Sequence, residues 1–367
     1  MFNLVMLCPS LSQPRYHKRA NALAHRFTVS VIAFERLYYN VNKFSDNIDV
    51  DVVGQLPEGA IFKRLFYLFS VYKRLKVNSE NINVFYALSL DLYLVAMLAG
   101  LDCGIYEVGD IRTAKGKNAI FRFLEKFVVS HSRSVVLTSK YFYSGYYENY
   151  GFPIEKYMIV ENKLPRDFFS EIDRERFYKS RENKQISTRK RRIRIGVIGF
   201  FRYEKPINLL LMFARENKDR FEVHFFGDGP LACLIKSDDN ENVIFHGPFS
   251  NPFELTGIYG SLDVNFVVYD NSDLNVRLAL PNKLYESIYF CLPMIVASDT
   301  ALEYEVVKKG VGVSVSLECR SFSEEMKNLS FESLEGYREN CKIVDPVDLI
   351  DDGNPFLDLL SGSERIS

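Results

Sequence analysis

Residues 281–299 read PNKLYESIYFCLPMIVASD, and the way this run divides sets the fold of the second half of the chain. Pro281 and Asn282 start a helix, with Lys283 in its first turn and Glu286 three residues on. Cys291-Leu292-Pro293 then turns the chain into a short apolar strand, Met294–Ala297. A helix N-terminus presents free backbone N–H groups and a partial positive charge, so it can hold phosphate. A lysine there adds a point charge. A carboxylate one turn inward can accept two hydroxyl hydrogen bonds, as from a ribose. Asn282, Lys283 and Glu286 are therefore candidate nucleotide-binding residues. The plainer reading of the same run is a capped surface helix before a strand.

The alternation continues outward from this run. Upstream, Ile193–Ile198 is a strand ending at Gly199, and Ile207–Phe213 has helical spacing. Phe221–Phe226 is a strand ending in Gly227-Asp228-Gly229-Pro230. Asn242–Phe245 is a strand ending in His246-Gly247, and Leu262–Val268 one ending in Tyr269-Asp270. Val311–Val315 is a further strand downstream, after Leu284–Phe290 and Met294–Ala297. The N-terminal half has the same rhythm. Asn3–Cys8, a helix over Arg15–His25 and Phe27–Phe34 make a βαβ opening. Val84–Ala87, Gly104–Val108 and Ser134–Leu137 read as buried strands, separated by helices over Leu92–Ala99 and Phe121–Ser130. Strands alternating with helices predict parallel sheets covered on both faces, with ligands at the carboxyl ends of the strands. Two such units predict a cleft between them.

The run IDRERFYKSRENKQISTRKRR, residues 172–192, is polar, charged and poor in aliphatics, and reads as a linker. The expected organisation is a first domain over 1–171, the linker, a second domain over 193–345, and a tail over 346–367 packing back on the first. The 367 residues, 47% hydrophobic and 25% charged, suit a soluble protein of two domains. A formal net charge of -1 argues against a nucleic-acid partner. Residues 1–171 carry 21 Lys+Arg against 16 Asp+Glu, and the remainder 25 against 31. A basic first half suits an anionic acceptor or a membrane surface; an excess of this size also arises by chance. The six cysteines are scattered without metal spacing, and most lie in apolar runs, so they read as buried thiols of a reducing, cytoplasmic compartment.

The segment 281–299 resembles the donor-binding signature of retaining GT-B glycosyltransferases of family 4, especially those building bacterial surface polysaccharides. The resemblance implies that Glu286 binds the ribose of the donor. Cys291 stands where relatives usually have Gly in a Gly-x-Pro turn, and Leu278 stands where they often carry a second Glu. Other segments are similar in the expected order, over roughly residues 2–316. Gly199-Phe200-Phe201-Arg202-Tyr203-Glu204-Lys205 is similar to the family's strand-end loop, in which an Arg and a Lys contact the donor diphosphate. This implies catalytic roles for Arg202 and Lys205, and fixed cations can stabilise the developing charge without a metal. Gly227 and Gly229 lie in what resembles a second Gly-rich turn, and His246 in a loop that often borders the nucleobase. In the first half, YALSLDLYLVAMLAG and IYEVGDI resemble acceptor-side segments, which gives Asp91 and Asp110 as candidate catalytic residues, with Glu107 beside them. Val108-Gly109 stands in the region where many relatives carry a His. Arg15, His17 and Lys18 are candidates for touching phosphate or acceptor.

The resemblance thus implies an α/β GT-B fold of two Rossmann-like parallel-sheet domains facing a central cleft, the first binding acceptor and the second the nucleotide sugar. The expected activity is sugar transfer from a nucleoside-diphosphate sugar to a saccharide, lipid-linked for surface polysaccharide synthesis, with no cofactor and no metal. The rival readings are a sugar-nucleotide epimerase on the same scaffold and a non-catalytic sugar-nucleotide-binding subunit. Asp49-Val50-Asp51 looks like a metal-binding Asp-x-Asp but sits in an alternating run that reads as an edge strand, and the five histidines lack metal-ligand spacing. Residues 61–76, IFKRLFYLFSVYKRLK, put Phe62, Leu65, Phe66, Phe69 and Tyr72 at helical spacing among five basic residues. That reads either as an interfacial helix at the inner face of the cytoplasmic membrane or as a packed helix with a solvated basic face.

Overall fold

Strands such as VFYA, IYEV and SVVL have no polar face to give to water, so they are satisfied only between two covered faces. The computed structural model describes residues 2–11, 13–35, 44–56, 61–102, 104–111, 119–152, 154–165 and 191–351. These fall into two compact units, residues 2–161 with Asp351, and Asn162–Ile350. The linker over 172–190, the tail beyond Asp351 and Cys103 lie outside the described residues.

The first unit is a seven-stranded sheet in the order β3-β2-β1-β4-β5-β6-β7. The strands are β1 (Asn3–Cys8), β2 (Thr28–Glu35), β3 (Asp49–Gln55), β4 (Val84–Ala87), β5 (Ile105–Val108), β6 (Ser134–Leu137) and β7 (Tyr157–Ile159), and all neighbours are parallel. β4, β5 and β6 are buried at every residue. The helix α1 (Pro14–Ala24) joins β1 to β2 and buries Tyr16, Ala20 and Leu23 along one face. α2 (Ile61–Asn78), α3 (Leu90–Leu98) and α4 (Ala119–His131) follow β3, β4 and β5, with α2 touching α3 and α3 touching α4. Right-handed crossovers that advance in opposite directions from β1 put α1 on one face and these three on the other. β3 is an edge strand, and Asp51 on it pairs with Arg74 of α2 at 2.8 Å.

The second unit opens with the two-residue strand β8 (Leu164–Pro165) and contains a six-stranded parallel sheet in the order β11-β10-β9-β12-β13-β14. These are β9 (Ile193–Phe200), β10 (Phe221–Asp228), β11 (Val243–Gly247), β12 (Val264–Val267), β13 (Met294–Ala297) and β14 (Gly312–Val315). The helix Glu204–Glu216 places Ile207, Leu210, Phe213 and Ala214 against β9 and β10, where Phe221, Val223 and Phe225 are fully buried. Each such large side chain contributes about 1.5–3 kcal/mol. Of the cysteines described, Cys8, Cys291 and Cys341 are buried, and Cys233 and Cys319 are exposed. Both stand early in amphipathic helices whose buried residues lie elsewhere, Ala232 and Ile235 in one and Phe322 and Met326 in the other.

The turn after the helix Asn282–Tyr289 shows why its sequence ends Cys-Leu-Pro. Cys291 N–H donates to Ile288 O at 3.1 Å and Leu292 N–H to Ser287 O at 2.8 Å, the paired bonds of a Schellman cap. The cap needs a left-handed residue, and Cys291 takes that place at φ 45. Pro293 follows where no helix can continue. A non-glycine residue here costs about 1–2 kcal/mol.

The strand ends of β9 and β10 meet more closely than side chains allow. A Cβ on Gly227 would lie 1.8 Å from the carbonyl oxygen of Gly199, and one on Gly229 2.6 Å from the Phe201 nitrogen. Gly227→Ala is therefore expected to lower unfolding stability by at least about 2 kcal/mol. Gly336→Ala, in the helix Phe331–Ile343 with nothing within 4 Å of the added carbon, should raise it by about 0.5–1 kcal/mol. Denaturant midpoints of the two variants check this; equal midpoints would contradict it.

Candidate active site

In the second unit the chain leaves β9 in one direction across the sheet and returns to β12 in the other. The carboxyl ends of these adjacent strands therefore diverge into a crevice, the place where open parallel sheets bind ligands. A recess opens there, lined by Gly199, Phe200, Arg202, Tyr203, Tyr269 and Lys283 among others. Its wall is β9 running into the Phe201–Tyr203 loop on one side and the end of β12 on the other. The helix Asn282–Tyr289 adds Lys283 from its first turn. No side chain caps this helix: Pro281 precedes it in extended conformation, and Leu284 N–H turns back to Pro281 O at 3.1 Å. Its first amides and the positive end of its dipole are left for another acceptor.

Glu286 sits one turn further in and is buried at 3% exposure. Its Oε1 accepts from Asn282 Nδ2 at 2.6 Å. Its Oε2 accepts from Tyr259 Oη at 2.7 Å and from Lys283 Nζ at 2.6 Å. Burial, and then the Glu286 charge, push the Tyr259 phenol well above its ordinary pKa, so it stays a donor. Tyr259 is stacked on Phe290 at 4.6 Å. A carboxylate has about four acceptor positions, and three are in use here. Glu286 can add one hydroxyl; a second must displace one of these partners. The structure thus brings together Asn282, Lys283 and Glu286, as the sequence suggests, and adds Tyr259, which no local pattern marks. It lies 27 residues away and arrives by folding alone.

The remaining candidates of this unit divide. Arg202 lines the recess with its guanidinium 4.9 Å from the ring of Tyr203, which lies 5.3 Å from that of Tyr269. Burial raises the Tyr269 pKa, Tyr203 adds to the rise, and Arg202 opposes it. Gly199 belongs to the recess, with a virtual Cβ 3.8 Å from the Lys283 side chain. Gly227 and Gly229 are used by backbone packing behind it. Lys205 is exposed in the first turn of Glu204–Glu216 and is not in the recess lining. His246 is also outside the lining. Its ring stacks on Phe226 at 4.1 Å and its Nε2 meets His224 Nδ1 at 3.0 Å, on the sheet surface of β10 and β11. Burial lowers the pKa of both histidines.

In the first unit Asp91, Glu107 and Arg15 are held in ion pairs. Asp91 accepts from Arg64 Nε at 2.6 Å and from Ser89 Oγ at 2.7 Å, tying α3 to α2. Glu107 is fully buried, paired with Arg15 at 3.0 Å and Arg19 at 3.4 Å, and Tyr86 donates to it. Arg19 also donates to Val160 O and pairs with Asp351. Burial alone would lower the Arg15 pKa; Glu107, with smaller help from Tyr16 and Asp110, turns the net shift upward. Gly109 leaves the space that the Arg15 guanidinium fills, since a Cβ there would lie 2.0 Å from it. Asp110 is exposed beside it. His17 is buried, hydrogen-bonded to Leu11 O at 2.6 Å and stacked on Phe44 at 4.0 Å, with a pKa lowered by burial. It holds the loop after β1 through Leu11. Among the described residues no three His, Cys, Asp or Glu side chains gather as a metal site.

No family model matches the chain, and no curated protein matches it in sequence. Solved structures do match its shape. Sucrose-phosphate synthase from Thermosynechococcus elongatus is similar with a TM-score of 0.73 and 11% identity, over 100% of both chains. HepE of Anabaena, solved in complex with UDP-glucose, is similar with a TM-score of 0.69 and 12% identity, over 100% of both. WaaG, a glycosyltransferase involved in lipopolysaccharide biosynthesis, is similar with a TM-score of 0.64 and 12% identity, over 97% of this chain and 98% of that one. The chain has the GT-B fold. At such identities the likeness is one of fold alone.

Within this GT-B fold the pair Lys283–Glu286 is too buried to be broken without cost, with side chains 10% and 4% exposed. Removing one partner of a buried pair typically costs about 3–5 kcal/mol. Glu286→Ala is therefore expected to destabilise the second unit by about 3 kcal/mol, and Lys283→Met added to it should recover part of the loss. A double-mutant cycle on denaturant unfolding checks the coupling; additive losses would show that the pair is not coupled.

Proposed function

We propose that the protein is a retaining, metal-independent glycosyltransferase that uses a nucleoside-diphosphate sugar. The observation that carries this reading is the recess at β9 and β12, where an uncapped helix N-terminus, Lys283 and Arg202 converge in front of a buried carboxylate. The diphosphate lies against the helix amides, with Arg202 offering its planar fork to two phosphate oxygens. Glu286 takes a ribose hydroxyl at its remaining acceptor position. The bond from the anomeric carbon to the phosphate oxygen breaks as the bond to the acceptor oxygen forms on the same face. The acceptor proton passes to the departing diphosphate, and the fixed positive charges stabilise what develops on it. Support for the donor class comes from HepE, whose structures hold UDP and UDP-glucose. The acceptor is proposed to be a lipid-linked saccharide of surface polysaccharide synthesis, met at the inner face of the cytoplasmic membrane.

A thermal-shift screen of UDP, GDP, ADP and CMP tests the binding step. A true ligand at a hundredfold excess over Kd adds about 2.7 kcal/mol of stability, and Arg202→Ala should weaken a diphosphate ligand by about 1.5–3 kcal/mol. No shift with any nucleotide would overturn the reading. Incubation with sugar nucleotides and saccharide acceptors, followed by NMR of the product anomer, tests the chemistry. Binding without turnover would point to a partner subunit, and conversion of the donor sugar without acceptor to an epimerase. Turnover is expected to survive a chelator of divalent ions; complete, reversible loss would overturn the metal-independent step.

A further inference from the structure

Helices α2 and α4 of the first unit are apolar on the side that does not pack. α2 buries Val71 and Leu75 inward, yet Phe62, Phe66 and Phe69 stand outward at 89%, 69% and 54% exposure. α4 buries Val128 and Val129, yet Ile120 and Phe123 are each 70% exposed. α3 touches both, and its Leu98 is exposed as well. Large apolar side chains exposed together on neighbouring helices of a folded protein mark an interaction site. The exposed charges carried by α2 and α4 themselves are of one sign. α2 and α4 together hold seven Lys or Arg and a single acidic residue, Glu125. Glu125 is buried, with Tyr147 Oη donating to it at 2.8 Å, and so contributes nothing to the outer face. Arg64 and Arg74 are paired with Asp91 and Asp51. Lys63, Lys73, Lys76 and Lys126 are exposed and make no ion pair with any described residue. No helix among the described residues is long and apolar enough to cross a membrane.

We infer that the outer face of α2, α3 and α4 docks on an anionic lipid bilayer. The inference rests on the proposed function only for what the bilayer supplies, a lipid-linked acceptor. Charge decides the occupant. A second copy docking by a two-fold axis would set the same four lysines against themselves, with Asp51 and Asp91 already taken by Arg74 and Arg64. Anionic headgroups neutralise them while the phenylalanines enter the acyl boundary, as for an interfacial amphipathic helix. The Lys73 ammonium, 4.7 Å from the ring of Phe69, holds charge and apolar group together as such a boundary requires.

The test is sedimentation of the full chain with vesicles of phosphatidylcholine alone or with about 30 mol% phosphatidylglycerol, at about 0.05 and 0.5 M salt. The protein should pellet with the anionic vesicles at low salt and be released at high salt. Phe66→Ser with Phe123→Ser should lower the partition at least about tenfold. Changing Lys63, Lys73, Lys76 and Lys126 to Gln should lower it by about fivefold per lysine on anionic vesicles only. Phe253→Ser, an equally exposed phenylalanine of the second unit, should leave it unchanged. The inference is overturned if the protein ignores anionic vesicles at low salt, or if the helix variants bind as the parent does. It is overturned equally if light scattering shows a dimer that vesicles do not dissociate. The nucleotide shift of the helix variants should match the parent, so failure to dock and failure to bind a nucleotide are read separately.

Discussion

The structure of the second unit depends on one buried carboxylate. Glu286 joins the helix Asn282–Tyr289 to Leu255–Ser261 through Tyr259, and it draws Lys283 inward at the end of β9. A carboxylate this deep is tolerable only with its oxygens satisfied, since an unpaired buried charge costs several kcal/mol. The same bonds that satisfy it fix the first turn of the helix, and so fix where its free amides point. The anion-binding geometry is thus a by-product of keeping Glu286 charged and partnered.

The first unit repeats this arrangement with different residues. Glu107 on β5 is held by Arg15 and Arg19 of α1 and by Tyr86 of β4, so one carboxylate ties three elements together. Gly109 lets the Arg15 guanidinium lie flat on the strand end. Net stabilisation from such pairs is small once desolvation is counted. Their effect is to favour the one arrangement in which Glu107 meets both guanidinium groups and the Tyr86 hydroxyl. Both sites lie where strands reverse their order, β1 beside β4 and β9 beside β12, which is where backbone divergence leaves room.

The sequence alone determined the alternation and its consequence. The apolar runs at Val84–Ala87, Ser134–Leu137 and Met294–Ala297 have no polar face and are strands covered on both faces. Local chemistry also placed Lys283 and Glu286 on a helix opened by Pro281, because helix starts are decided by neighbours in the chain. The left-handed turn at Cys291 could be suspected from the Pro two residues on. What the sequence could not decide is which polar groups are partners. Asp91, read as facing the cleft, is bound to Arg64; His17, a candidate for touching phosphate or acceptor, is bonded to Leu11; and His246 stacks on Phe226 outside the recess lining. Tyr259, the donor that completes Glu286, carries no local mark. Nor does the sequence say which side of α2 and α4 packs, since each helix has apolar residues on both sides. Periodicity reports the shape of a segment from its own residues. Partners and buried faces are set by contacts between residues far apart in the chain, which exist only once the sheets have formed.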